Sequence, residues 1–163
     1  MTLSVIVLAL VTVQRLGELV LARRNTGRLL ARGAVEVGAR HYPLIVGLHG
    51  VWLAGLWALA WDRPVNLPWL VLFIGLQLLR VWVLATLGER WTTRIMVLTG
   101  APLVRRGPYR FCDHPNYVVV VAEIAVLPLA FGLGVFAVVF SILNAAVLWI
   151  RIRAESRALA PST

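Results

Sequence analysis

The sequence contains few charged residues, one cysteine and no lysine. Only 14% of its 163 residues are charged and 60% are hydrophobic, a balance outside the usual range of soluble globular domains. The single cysteine, Cys112, excludes an internal disulfide and a thiolate cluster for zinc or iron–sulfur binding. We therefore predict an integral membrane protein and no metal site.

Acidic residues are also scarce, and the formal net charge is +9. In a soluble protein such an excess of positive charge would indicate a nucleic-acid partner. Here the arginines cluster between apolar runs instead of forming one basic face, so we predict no nucleic-acid partner. The use of arginine alone, without lysine, is typical of a GC-rich bacterial genome.

Long apolar runs make up most of the chain. Several approach the roughly 20 residues that a helix needs to cross a hydrocarbon core about 30 Å thick. They are continuous rather than alternating, which favours helices over barrel strands. We predict an all-α integral membrane protein with about five transmembrane helices, in a single domain over residues 1–163. The predicted spans are about 2–22, 41–61, 66–88, 117–131 and 134–150.

Two details of these runs affect the count of spans. Pro128, Gly132 and Gly134 predict a tight turn that separates the last two helices. The first run is too long for the core of a signal peptide, so we expect it to be retained as a membrane helix.

Arginine is distributed unequally over the connections between the predicted spans. The first and third connections and the segment after the last span hold clusters of arginine, whereas Arg63 is the one arginine on the opposite side. The positive-inside rule then places the N-terminus outside, and the C-terminus and both long loops in the cytoplasm. Together with the arginine usage, this predicts a multi-pass protein of a bacterial inner membrane.

Polar side chains lie inside the predicted spans at a common depth from the cytoplasmic ends. Such groups are costly in lipid and normally face a bundle interior or a wet cavity, so their shared depth predicts a pocket open to the cytoplasm. These residues are Arg15, Glu18, His49, Gln77, Arg80, Glu123 and Asn144.

Simpler interpretations of these polar residues remain open. Arg15 and Glu18, at i and i+3, are placed to pair with each other. An ion pair of Glu123 with Arg15 or Arg80 is as well supported by the sequence as a role of Glu123 as a base. His49 on its own is more often a satisfied core histidine than a catalytic one.

The densest polar motif, RRGPYRFCDHPNY over residues 105–117, precedes the fourth span. Gly107 begins a predicted turn, and Pro115 suits the first turn of a helix, which leaves His114 at its cap. The free N–H groups and positive dipole end of such a helix attract carboxylates. We interpret the neighbouring Arg105 and Arg106 as anchors to anionic membrane lipid.

Two motifs resemble signatures of the isoprenylcysteine carboxyl methyltransferase family. Its first signature is Gly-Pro-Tyr-Arg, a short gap and Arg-His-Pro-x-Tyr at a helix start; it matches residues 107–117, with Asp113 replacing the second arginine. Its second, Arg-Ile-x-x-Glu-Glu-x-x-Leu after the last span, appears as RIRAESRAL over residues 151–159, with Ser156 replacing the second glutamate. The resemblance covers roughly the C-terminal third of the chain. The chain is similar to the short bacterial branch of the family.

This resemblance implies a methyltransferase that binds S-adenosylmethionine in a cytoplasm-facing pocket and takes a lipophilic acceptor from the bilayer. Glu155 is expected to bind the ammonium group of the cofactor, with His114 and Tyr117 at its carboxylate or ribose. The turn at Gly107 and the ring of Tyr109 are expected at the adenine or sulfonium. The expected cofactor-binding residues are Gly107, Tyr109, His114, Asn116, Tyr117 and Glu155. The glycine-rich motif of a Rossmann nucleotide-binding domain does not occur in the sequence.

Methyl transfer from a sulfonium depends mainly on in-line placement of the acceptor. Arg110 is expected to hold an anionic acceptor, because a guanidinium group is a planar two-pronged donor. A carboxylate acceptor needs no base, whereas a phenol or enol does, and Glu123 is the expected base. The expected catalytic residues are therefore Arg110 and Glu123.

The expected reaction is methyl transfer to a carboxylate or hydroxyl of a lipophilic acceptor. The resemblance to the short bacterial branch implies long-chain polyketide products as the favoured acceptor class. A different hypothesis is a small proton-coupled transporter that uses Glu18 in the first helix. A third is a catalytically inactive member of the same fold, which the departures at Asp113 and Ser156 leave open. The sequence does not predict the oligomeric state.

Overall fold

The computed structural model describes residues 2–159, with side chains through residue 155. The predicted architecture of about five membrane helices is confirmed, and the protein is a multi-pass integral membrane protein. The helices are α1 (Leu3–Ala31), α2 (Tyr42–Ala60), α3 (Leu67–Leu87), α4 (Pro115–Ala130) and α5 (Gly134–Leu159). The strands are β1 (Val35–Val37) and β2 (Ile95–Val97), and short 3-10 turns cover Ala39–His41, Gly88–Arg90 and Gly107–Arg110.

The helix bounds differ from the predicted spans mainly at two ends. Four helices are long and apolar enough to cross a membrane, whereas α4 has 16 residues, about 24 Å at the rise of an α-helix. α1 continues past the predicted end at Ala22 to Ala31, and α5 continues past Ile150. The apolar run ends at those points, but the helical backbone continues through polar sequence. The predicted turn between the last two helices is confirmed by Gly132 at φ 70°.

The sequence did not predict the two-stranded sheet. β1 lies in the α1–α2 connection and β2 in the α3–α4 connection, and they pair antiparallel with Val35 opposite Val97. Arg94 Nη1 donates to both carboxylate oxygens of Glu36, at 2.8 and 2.7 Å, beside this sheet. Both long connections therefore lie together at one end of the bundle, which we name the loop end.

The opposite end of the bundle, which we name the far end, holds the short connections. Hydroxyls of Thr2 and Ser4 donate to the carbonyl of Trp61 at 3.0 and 2.9 Å. The backbone N–H of Asn66 donates to the backbone carbonyl of Ala130 at 2.8 Å. Between these contacts and mid-bundle lies an apolar core to which all five helices contribute. It includes Leu8, Val11, Trp52, Leu56, Phe73, Ile124, Leu127 and Phe140.

Four charged residues from three helices meet in the interior of the bundle. Both carboxylate oxygens of Glu123, whose side chain is fully buried, accept from the guanidinium of Arg80. Arg15 Nη2 donates to Glu123 Oε2 at 2.5 Å, and its Nη1 donates to Glu18 Oε2 at 2.9 Å. Arg80 Nη1 also reaches Glu18 Oε2 at 3.1 Å. We name Arg15, Glu18, Arg80 and Glu123 the charge cluster; its two positive and two negative charges balance.

Amide side chains add hydrogen bonds to both carboxylates of the charge cluster. Gln77 Nε2 donates to Glu123 Oε1 at 2.8 Å, and Gln14 Nε2 donates to Glu18 Oε1 at 2.9 Å. Both alternatives left open by the sequence therefore occur: Arg15 pairs with Glu18, and Glu123 pairs with Arg15 and with Arg80.

The remaining polar residues of the predicted common depth do not join this network. His49 Nδ1 lies 2.8 Å from the carbonyl of Ile45, one turn earlier in the same helix. Asn144 is fully buried, and neither its oxygen nor its nitrogen has a hydrogen-bond partner among the described residues.

Removing one charge from the charge cluster is expected to destabilise the bundle strongly. Glu123→Gln keeps the shape of the side chain but leaves two guanidinium groups with one carboxylate, and breaking a buried pair costs about 3–5 kcal/mol. The matched control is Glu89→Gln, because Glu89 pairs with Arg28 at 2.7 Å with both side chains exposed, where a pair contributes about 0–1 kcal/mol. Thermal unfolding in detergent checks this, and equal midpoints for the two variants would contradict it.

The orientation of the loop end stays a prediction, and Cys112 provides its test. It is the only cysteine, and it is exposed in the α3–α4 connection. A membrane-impermeant maleimide is expected to label it in inverted membrane vesicles but not on intact cells. The control is Asp62→Cys in a Cys112→Ser background, which moves the thiol to the far end and reverses the pattern. Labelling of Cys112 on intact cells would place the loop end outside.

Candidate functional site

A cavity of about 540 Å³ opens at the loop end of the bundle, within the range of about 300–1,000 Å³ that is common for small-molecule sites. Its apolar wall is β2 and the chain that follows, from Ile95 to Val104, together with Leu29 of α1 and Leu87 of α3. Its polar wall is the 3-10 turn at Tyr109, the start of α4 and two residues of α5, and Arg90, Arg94 and Arg105 also line the cavity. The cavity therefore combines segments that are distant in the sequence.

Five of the six predicted cofactor-binding residues line this cavity. They are Tyr109, His114, Asn116, Tyr117 and Glu155. The predicted helix start is confirmed, because α4 begins at Pro115 with His114 at its cap. Gly107, the sixth, stands just before Tyr109 and is not part of the lining.

Gly107 has a structural reason to be glycine. Its φ of 57° lies in the left-handed region, and a methyl carbon there would overlap the hydroxyl of Thr86 and lie 3.0 Å from its Cγ2. The 3-10 turn therefore packs closely on the last turn of α3, which fixes where Tyr109 enters the cavity.

The centre of the polar wall joins the two sequence motifs. The hydroxyl of Tyr117 donates to Glu155 Oε2 at 2.6 Å and accepts from Arg151 Nε at 2.9 Å. The ring of His114 stacks on Tyr117, with 5.2 Å between ring centroids, and its Nδ1 lies 4.0 Å from Glu155 Oε2. A carboxylate accepts up to about four hydrogen bonds, so Glu155 keeps capacity for a ligand cation.

Tyr109 is an uncharged donor in this wall. Burial, followed by the negative charge of Glu155, raises the pKa of Tyr109 from 10.0 to about 12. Its phenol therefore keeps its proton at neutral pH and presents a hydroxyl and a ring face to the cavity.

Sequence reasoning missed several residues of the site, among them Trp91 and Arg151. Trp91 is 3% exposed and lines the cavity. Its Nε1 lies 3.5 Å from Asn116 Oδ1. Arg151 belongs to the arginine cluster after the last span, which the sequence analysis used only to predict the topology. Its place at the start of the second motif is the signal that could have assigned it to the site.

The structure does not bring the two predicted catalytic residues into the cavity lining. Arg110 is exposed, and its guanidinium lies 5.1 Å from the ring centroid of Phe111. Both oxygens of Glu123 accept hydrogen bonds, from Arg15, Gln77 and Arg80. A general base needs a free oxygen within reach of the acceptor, and the role of Glu123 as a base stays a prediction.

The described part of the second motif agrees with its predicted position. Residues 151–155 continue α5 to the loop end, where Arg151 and Glu155 reach the cavity. The side chain of Ser156, where the motif departs from its pattern, lies outside the described residues. Asp113, the other departure, is exposed and lines the cavity.

Comparison with known proteins agrees with the motifs. The model of the isoprenylcysteine carboxyl methyltransferase family matches residues 69–161. The chain is also 39% identical over 159 residues to the uncharacterized protein YpbQ of Bacillus subtilis (strain 168). The alignment covers 94% of this chain and 95% of that protein. No solved structure matches the chain. The matched segment contains both motifs and most of the cavity, and the chain therefore belongs to the isoprenylcysteine carboxyl methyltransferase family.

Proposed function

We propose that this protein transfers a methyl group from S-adenosylmethionine to a carboxylate or hydroxyl of a lipophilic acceptor. Membership of the family suggests membrane methyltransferase activity, and methyltransferases of this family in general use S-adenosylmethionine. The observation that carries the proposal is the 2.6 Å hydrogen bond from Tyr117 to Glu155 at the cavity wall. It brings together the two motifs that resemble the family signatures, beside a space of suitable size.

The residues of the cavity fit the chemistry of this cofactor. Its ammonium needs an anion, its carboxylate a cation or helix end, and its sulfonium an aromatic or apolar surround. Glu155 would bind the ammonium, and Arg151 with the α4 start at His114 would face the carboxylate. Asn116 would bind the ribose, and the ring face of Tyr109 would lie beside the adenine or sulfonium.

The chain's contribution to the reaction is placement and charge. The bound cofactor supplies an electrophilic methyl group, so the protein needs to hold an anionic acceptor atom in line with it. Trp91 and the apolar wall from Ile95 to Val104 would give that position an apolar surround. A carboxylate acceptor is already ionised and needs no base. This agrees with the position of Glu123, which belongs to the charge cluster and does not line the cavity.

The acceptor is proposed to enter from the membrane. Leu29 and Leu87 belong to α1 and α3, helices whose outward faces are apolar and exposed. A long alkyl chain in the bilayer therefore has apolar surface to follow up to the cavity. Long-chain polyketide products are the acceptor class that the resemblance to the short bacterial branch implies. The proposed location of the reaction is the cytoplasmic face of a bacterial inner membrane.

Binding of S-adenosylhomocysteine by titration calorimetry tests the cofactor site. The purified protein is expected to bind it, and Glu155→Ala and His114→Ala are expected to weaken binding, Glu155→Ala by about tenfold or more because a charge-assisted hydrogen bond is lost. Asp62→Ala, which removes an exposed carboxylate at the far end of the bundle, is the matched control and keeps wild-type affinity. Folded wild type that gives no heat would contradict the proposal; binding that survives both substitutions would contradict the assigned residues.

Methyl transfer itself is tested with methyl-labelled S-adenosylmethionine and lipid extracts of the source membrane. Label is expected to enter the organic phase with wild type and to fall to background with Glu155→Ala. Mild alkali then distinguishes the acceptors, since it releases methanol from a methyl ester and leaves a methyl ether intact. A protein that binds S-adenosylhomocysteine but labels no lipid-phase product would contradict a lipophilic acceptor.

A further inference from the structure

The part of α1 beyond Ala22 carries one face that contacts the α3–β2 connection. Asn25, Arg28 and Leu29 lie on this face, because residues three and four apart are neighbours on a helix, and Arg32 follows the helix directly. Arg28 and Arg32 approach Glu89 at 2.7 and 3.9 Å, and Leu29 lines the cavity. This face lies outside the segment that the family model matches, residues 69–161.

Asn25 is the buried residue of that face. It is 2% exposed, and its Nδ2 donates to the carbonyls of Gly88 and Trp91 at 3.1 and 2.8 Å. α3 ends at Leu87, and Gly88 leaves the helix with φ 53°. The carbonyl of Gly88 also accepts from the backbone amide of Trp91 at 3.1 Å, so the bonds from Asn25 add to a turn that begins directly after α3. A side chain from another helix therefore fixes the backbone where the chain leaves α3.

Trp91 carries this restraint to the cavity. Its carbonyl accepts from Asn25, its buried indole forms part of the cavity wall, and its Nε1 faces Asn116 Oδ1 at 3.5 Å. Asn25 itself is not part of the lining. The contacts thus run in sequence from Asn25 through Trp91 to Asn116.

We infer that Asn25 is a positioning residue of the cofactor site, which acts by holding the segment Gly88–Trp91 so that the Trp91 indole fixes Asn116. The inference rests on the proposed function for its link to the cofactor. It assigns to the first helix a part in a site whose sequence motifs all lie after residue 100. Arg28 and Arg32 are exposed partners of the same contact, whereas Asn25 is its buried polar residue.

The matched control is Asn66, because it caps the same helix at the other end. Asn66 is exposed, and its Oδ1 accepts from the amide of Trp69 at 3.5 Å. Asn25→Ala and Asn66→Ala each remove one asparagine cap from α3. Hydrogen exchange without cofactor is expected to rise in residues 88–98 for Asn25→Ala and to stay at the wild-type level there for Asn66→Ala. Unchanged exchange in this segment for Asn25→Ala would overturn the inference.

Calorimetry with S-adenosylhomocysteine then measures the link to the site. Asn25→Ala is expected to raise the dissociation constant by roughly fivefold to tenfold, and Asn66→Ala to leave it unchanged. In an Asn116→Ala background the effect of Asn25→Ala is expected to disappear, because the two residues act through one chain of contacts. Equal effects of Asn25→Ala in both backgrounds would overturn the inference even if the variant is less stable.

Trp91→Phe provides a second route if Asn25→Ala does not fold. It keeps an aromatic ring in the wall but removes the indole donor, so it is expected to weaken binding in the wild-type background and not in Asn116→Ala. Absence of that coupling would overturn the inference. If wild type does not bind S-adenosylhomocysteine, the proposed function fails, and the hydrogen-exchange comparison still decides whether Asn25 holds the segment.

Discussion

The buried carboxylate of Glu123 is the group around which the membrane part of the bundle is arranged. In a membrane, an apolar helix face gains no hydrophobic free energy by contacting another helix instead of lipid. Close packing and polar contacts must therefore determine how the helices are arranged. Glu123 on α4 binds Arg80 on α3 and Arg15 on α1, and Glu18 closes the set. Because an unpaired charge there is costly, the arrangement of the three helices that gives each of the four residues an ion-pair partner is favoured.

The loop end depends on that arrangement. Once α1, α3 and α4 are fixed, the polar extension of α1 lies along the end of α3, where Asn25 reaches the carbonyls of Gly88 and Trp91. The two long connections then meet as β1 and β2. The cavity is the space left between this sheet, the start of α4 and the end of α5, so its shape follows from contacts made by the whole bundle.

Local sequence was sufficient wherever one residue type has a strong backbone preference. Pro115 marked the start of α4 with His114 at its cap, and Gly132 marked the turn before α5. Hydropathy located all five helices but ended α1 at Ala22, since an apolar pattern reports lipid contact and not the end of a hydrogen-bonded helix. The strands were missed because three-residue segments have no periodicity and form only when their partner is near.

The sequence by itself determined that the chain is a multi-span helical membrane protein with two methyltransferase-like motifs at the edges of its last spans. Tertiary structure alone decided what the charged residues do. Glu123 was equally suited by sequence to a base or an ion pair, and the positions of Arg15 and Arg80 decided for the pair. Likewise, only the packing of α4 on α5 brings Tyr117 to Glu155. Side-chain chemistry is local, but which group meets which partner depends on how helices distant in sequence pack.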